Sequence, residues 1–153
     1  MARLEDFQEP MLSHLAELAC PTFETTPWAN GVPVEQSRVA IISTAGLQRR
    51  GDRPFEMGSD DFRVIPGDTP ARDLVMSHIS TNFDRSGFQQ DINVALPIDR
   101  LRELAAEGVI GSVADYQYSF MGATDPMRMQ DSVMRMVDLL KRDAVDTVLL
   151  VPI

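Results

Sequence analysis

Apolar residues recur along this chain with two periods, and the switches between them outline the fold. Leu4, Phe7, Met11, Leu15 and Leu18 stand three and four residues apart, which predicts an amphipathic first helix. Pro10 should kink or restart it. The stretch PTFETTPWANGVP, Pro21 to Pro33, is a connector of turn formers. SRVAIISTAG, Ser37 to Gly46, reads as a buried strand closed by small residues. Leu47 to Ala71 is polar and punctuated by Gly and Pro, and reads as a long loop insert. DLVMS then predicts a short second strand of the sheet, running into HISTNFD.

The remaining elements carry clearer signals. Pro97 suits a first helical position, and Ile98, Leu101, Leu104 and Ala105 line one face behind it. Gly108 falls where a left-handed cap is needed, with Val109 placed to complete a Schellman motif onto Leu104. SVADYQYSFMG, Ser112 to Gly122, reads as a strand and turn. Asp125 and Pro126 predict a helix start, followed by Met129, Val133, Met136, Val137 and Leu140 on one face. VDTVLLVPI, Val145 to Ile153, is a continuous apolar run of the kind that parallel sheets cover on both faces. Strands alternating with helices predict an α/β fold in three layers, a mostly parallel sheet flanked by helices. Residues 1–32 form the expected N-terminal helix and connector, and residues 33–153 the α/β domain.

Composition narrows the function classes. Net charge is −9, which argues against nucleic acid or an anionic membrane as the main partner. Cys20 is the one cysteine, so these residues encode no internal disulfide and no C-x-x-C pair. A reducing cytoplasm is the expected location. No apolar run reaches the roughly 18 residues of a membrane span. Neither G-x-G-x-x-G nor a P-loop pattern occurs, so the α/β pattern is not that of a nucleotide-binding domain.

Polar residues collect after each strand: Ser43, Thr44 and Gly46; Ser77, His78 and Asp84; Ser119 and Gly122. In a parallel sheet these ends share one edge and face one cleft. Thr44, Gly46, Ser119 and Gly122 are the candidate substrate-binding residues, the glycines by letting backbone N–H groups approach an anion. His78 is the candidate general acid or base, with Asp84 to orient it or hold an amine. The same His78 reads equally well as a loop histidine bonded to a neighbouring carbonyl. No metal site is expected: His78 and Asp84 have no third ligand at a recognisable spacing, and His14 lies on the first helix.

One longer stretch carries more. MSHISTNFDRSGFQQDINVALPIDRLRELAAEGVIGSVADYQYSFMG, Met76 to Gly122, resembles the selenoprotein B family of glycine, sarcosine, betaine and D-proline reductases. VAIISTAGLQRRGDRPFE and FRVIP resemble its first strand, loop and following segment. Ile79 and Ser80 differ from a glycine pair often found there, and Ala123 and Thr124 from a glycine-rich stretch. The resemblance implies an oxidoreductase that cleaves a C–N bond of an amino-acid-like substrate, with His78 protonating the departing amine. It further implies a selenocysteine or cysteine directly after the strand that matches VDTVLLVPI. The expectation is therefore that a selenocysteine codon was read as a stop after Ile153, leaving the domain without its C-terminal part and inactive. Other reductase subunits are the implied partners, one bearing a pyruvoyl group in the D-proline branch, in an oligomeric assembly. The rival expectation is a non-catalytic ligand-binding or assembly module on the same fold.

Overall fold

A computed structural model describes residues 4–17, 22, 24–26, 28–80 and 85–153. It divides into two compact units, Met1–Asn30 and Gly31–Ile153. In the first, a single 3-10 turn at Leu4–Asp6 precedes helix α1, Met11–Ala16. Pro10 occupies its N-cap, so the proline starts a new helix rather than bending one. Leu18 and Cys20 lie outside the described residues.

The second unit is built around strand β1, Arg38–Ser43. Its side chains alternate between two cores. Val39 and Ile41 pack with Leu47, Ile65, Leu96, Ile98 and Leu101, whereas Ala40 packs with Tyr118, Phe120, Met129, Met136 and Leu140. Helix α3, Ile98–Ala106, thus covers one face and helix α4, Gln130–Arg142, the other. This is the expected three-layer arrangement.

Along one side of β1 run β5, Ser112–Val113, and β6, Tyr116–Ser119, both parallel to it. Along the other side runs β7, Thr147–Val151, also parallel. The break between β5 and β6 is filled by a side chain. Gln117 is buried, its Oε1 accepts the Ile41 N–H at 2.6 Å, and its Nε2 donates to the Ala114 carbonyl at 2.8 Å. A buried backbone donor is thereby satisfied where the ladder lapses. Asp143, just past α4, accepts from the Arg38 guanidinium at 2.5 Å and from the Tyr116 N–H at 3.1 Å, tying the helix end to both strands.

Two expectations about strands change. The second predicted strand, β4 (Leu74–Met76), does not join the parallel sheet; it pairs antiparallel with β2, Leu47–Arg49, in a separate ribbon. The insert is not all loop either. It holds β2 and β3, Arg63–Pro66, and β3 pairs antiparallel with β6. Pairing partners distant in sequence decide both outcomes, and a short apolar run carries no record of them.

A third concerns β7. Among the described residues its one strand neighbour is β1, and Val148, Leu149 and Leu150 are 37%, 38% and 68% exposed. An apolar run announces a strand, but not what covers it. Pro97 is the N-cap of α3 rather than its first residue, and the other helix ends read as expected. Gly108 has φ +73°, and the Val109 N–H reaches the Leu104 carbonyl at 2.9 Å, the Schellman bond. Asp125 caps the turn into α4 by accepting from the Met127 N–H at 2.9 Å.

Candidate functional site

The carboxyl ends of β1, β6 and β7 meet at one point. Thr44, the first residue after β1, holds three chain segments together. Its N–H donates to Val151 at 3.1 Å, extending the β1–β7 ladder, and its carbonyl accepts from the Gly122 N–H at 2.9 Å. Its hydroxyl accepts the Ile153 N–H at 2.8 Å. Gly122 lies against this knot so closely that a Cβ on it would stand 2.8 Å from the Ile153 oxygen and 2.9 Å from the Thr44 oxygen. The same Cβ would stand 3.1 Å from Nε2 of His78. A hydrogen is therefore the only substituent this position accommodates.

His78 is brought here from a different sheet. It follows β4, whose ribbon partner β2 begins just beyond Gly46. Gly46 has φ +63°, and a Cβ on it would stand 3.0 Å from the His78 nitrogen. Gly46 thus makes the turn and leaves room for the histidine backbone. The Ser77 N–H closes the contact by donating to the Gly46 carbonyl at 2.9 Å.

His78 is 5% exposed. Its Nδ1 accepts the Ser80 N–H at 3.1 Å, so the neutral ring carries its proton on Nε2, the atom beside Gly122. Burial, and after it the nearby Arg85 guanidinium, holds the ring below the ordinary histidine value of 6.5. At neutral pH the ring is accordingly an uncharged hydrogen-bond donor at Nε2. Gly122 itself is exposed, whereas Nε2 of His78 behind it is out of solvent. A separate cavity of about 500 Å³, lined by Pro66, Ile98, Arg102 and Tyr116, lies at the opposite, amino end of β6.

The candidate residues fare differently. Thr44, Gly46, Gly122 and His78 are brought together. The glycine N–H groups, however, do not offer themselves to an anion: Gly46 donates to Phe120 at 2.8 Å and Gly122 to Thr44. Their contribution is space. Ser119 is fully buried, and its hydroxyl accepts the Leu47 N–H at 2.8 Å, so it ties β6 to β2. Asp84 lies outside the described residues. Two residues that sequence reading did not single out belong to the arrangement. Ile153 supplies main-chain atoms to Thr44 and Gly122, and Arg85 donates to the carbonyls of His78 at 2.6 Å and Ser80 at 2.8 Å. Arg85 left one signal: it is the only Lys or Arg between Arg72 and Arg100.

Residues 12–152 match the family described as glycine/sarcosine/betaine reductase selenoprotein B. The chain belongs to this family. It is 36% identical over 115 residues to the D-proline reductase subunit gamma of Acetoanaerobium sticklandii, a match covering 73% of this chain and 47% of that protein. It is 30% identical over 114 residues to the glycine reductase complex component B subunit gamma of Carboxydothermus hydrogenoformans, covering 69% and 26%. It is 29% identical over 113 residues to the sarcosine reductase complex component B subunit beta of Peptoclostridium acidaminophilum, again covering 69% and 26%. The chain thus spans half or less of the relatives it matches. No solved structure matches it. Among the described residues no helix is long and apolar enough to cross a membrane.

Proposed function

We propose that this chain is the part of a selenoprotein-B-type reductase subunit that carries the proton-handling side of the site. The reaction is reductive cleavage of a C–N bond in a small amino-acid-like substrate. The supporting observation is the meeting of His78 Nε2, Gly122, Thr44 and the end of β7 where three parallel strands terminate. Loops at such strand ends are the common location of ligand sites in α/β sheets.

In this reading His78 faces the departing amine. Its Nε2–H donates to the lone pair that develops on the nitrogen as the C–N bond breaks, and a ring held below 6.5 gives up a second proton readily once it has taken one. Gly46 leaves room for the His78 backbone, and Gly122 keeps a side chain off Nε2 of the ring. Thr44 fixes the end of β7 against it. The close approach of the β7 end to Gly122 and His78 suits a redox residue that follows β7 in the family. A selenocysteine or cysteine there supplies the nucleophile and, with a second thiol, the electrons. Cys20 is the one such side chain in these 153 residues, so the chain alone is read as inactive. Its partners are the other subunits of the complex, including a pyruvoyl-bearing one if the D-proline branch is the right one.

The test is reconstitution. The subunit carrying a selenocysteine or cysteine after β7 is combined with its partner subunits and a dithiol reductant. It is then assayed for amine release from glycine, sarcosine and betaine, and for ring opening of D-proline to a primary amine. Turnover on one of these, lowered about 100-fold or more by His78→Ala, supports the reading. Binding without turnover on any of the four points instead to a ligand-binding or assembly module.

A further inference from the structure

Arg85, seven residues beyond His78 in the chain, reaches back to it with its guanidinium. One terminal nitrogen of that guanidinium, Nη2, donates to the main-chain oxygens of both His78 and Ser80, at 2.6 and 2.8 Å. These carbonyls flank the amide that matters: the Ser80 N–H is the donor to Nδ1 of His78. The three contacts form one device. With the carbonyls at positions 78 and 80 drawn to a common donor, the backbone between them is folded so that the Ser80 N–H turns back onto the ring.

We propose that Arg85 is the positioning residue of this site, bridging the His78 and Ser80 carbonyls so that the Ser80 N–H pins Nδ1 and leaves the proton on Nε2 facing Gly122. A lone lysine could carry the charge, but its single ammonium on a flexible stem does not reproduce a planar guanidinium held between two carbonyls. The catalytic meaning of this device rests on the reading of His78 as proton donor; the device itself does not.

The charge of Arg85 and its geometry separate cleanly in a variant series. The full chain, labelled with ¹⁵N in its histidine rings, is compared with Arg85→Lys and Arg85→Gln. There are two histidines, so the His78 signals are identified by their loss in His78→Gln. The expected result for the unaltered chain is one protonated and one bare ring nitrogen with widely separated resonances. In both variants those resonances should move toward each other as the tautomers mix, and Ser80 amide exchange should accelerate by about tenfold or more.

Ring resonances and Ser80 exchange that stay unchanged in both variants overturn the proposal. So does a lysine variant that behaves like the unaltered chain, since charge without the bridge would then suffice. If Arg85→Gln does not fold, Arg85→Lys, which keeps the charge, decides alone. In the reconstituted reductase the same variants should lower kcat with little change in KM. Mixed tautomers with undiminished turnover would uphold the positioning role and remove His78 from the reaction, so the two readings fail separately.

Discussion

The side-chain oxygen of Gln117 takes the N–H of Ile41 at 2.6 Å, in the middle of the central strand and wholly out of solvent. This one contact lets β1 change partners from β5 to β6 without orphaning a donor. Gln117→Leu keeps the volume and removes the acceptor. It should lower unfolding free energy by about 2 kcal/mol, read as a shift in the urea midpoint. Gln117→Glu, which keeps an acceptor oxygen but loses the donor to Ala114, tests which half of the amide matters. An unchanged midpoint in the leucine variant would contradict the role.

Gly46 and Gly122 should resist even alanine. At Gly46 the φ of +63° and the His78 backbone both oppose a methyl group; at Gly122 two main-chain oxygens do. Each alanine variant should be destabilised by about 1–3 kcal/mol in thermal or urea unfolding. Gly31, with open space around it, is the control and should tolerate the same change within about 0.5 kcal/mol.

His78 should make stability depend on pH. Its folded-state value lies below the unfolded 6.5, so the folded chain takes up the proton later than the unfolded one as pH falls. The contribution is intact above the unfolded value and is lost as pH drops from about 6.5 through the folded value. Urea midpoints between about pH 7.5 and pH 5 should therefore fall more steeply for the unaltered chain than for His78→Gln. Parallel curves would show that the ring ionises as easily folded as unfolded.

The open edge of β7 should make the 153-residue chain associate. Leu150 is its most exposed apolar side chain at 68%, and the backbone groups on its outer side have no strand neighbour among the described residues. Light scattering should show a mass that rises with concentration. Leu150→Lys should weaken that association by about tenfold or more, since a charged edge disfavours strand addition. A unaltered chain that stays monomeric across the range would dismiss the idea.

Local signals were enough for much of this protein. Gly108 with Val109, and Asp125 with Pro126, could be placed on helix ends because caps are satisfied by residues a few positions away. That β1 is a buried strand followed from its continuous apolar run, and the family followed from the long stretch Met76 to Gly122. His78 and Gly122 could be named as candidates because polar and small residues after apolar runs mark strand ends. What sequence could not supply was partnership across distance. Whether DLVMS joined the main sheet, whether β7 was covered, and whether the N–H of Gly46 faced a ligand or Phe120 all depend on which backbone groups meet in space. Main-chain atoms are the same in every residue, so the knot at Thr44, Gly122 and Ile153, and the two carbonyls drawn to Arg85, leave almost no trace in side-chain identity. They exist only once the chain has folded.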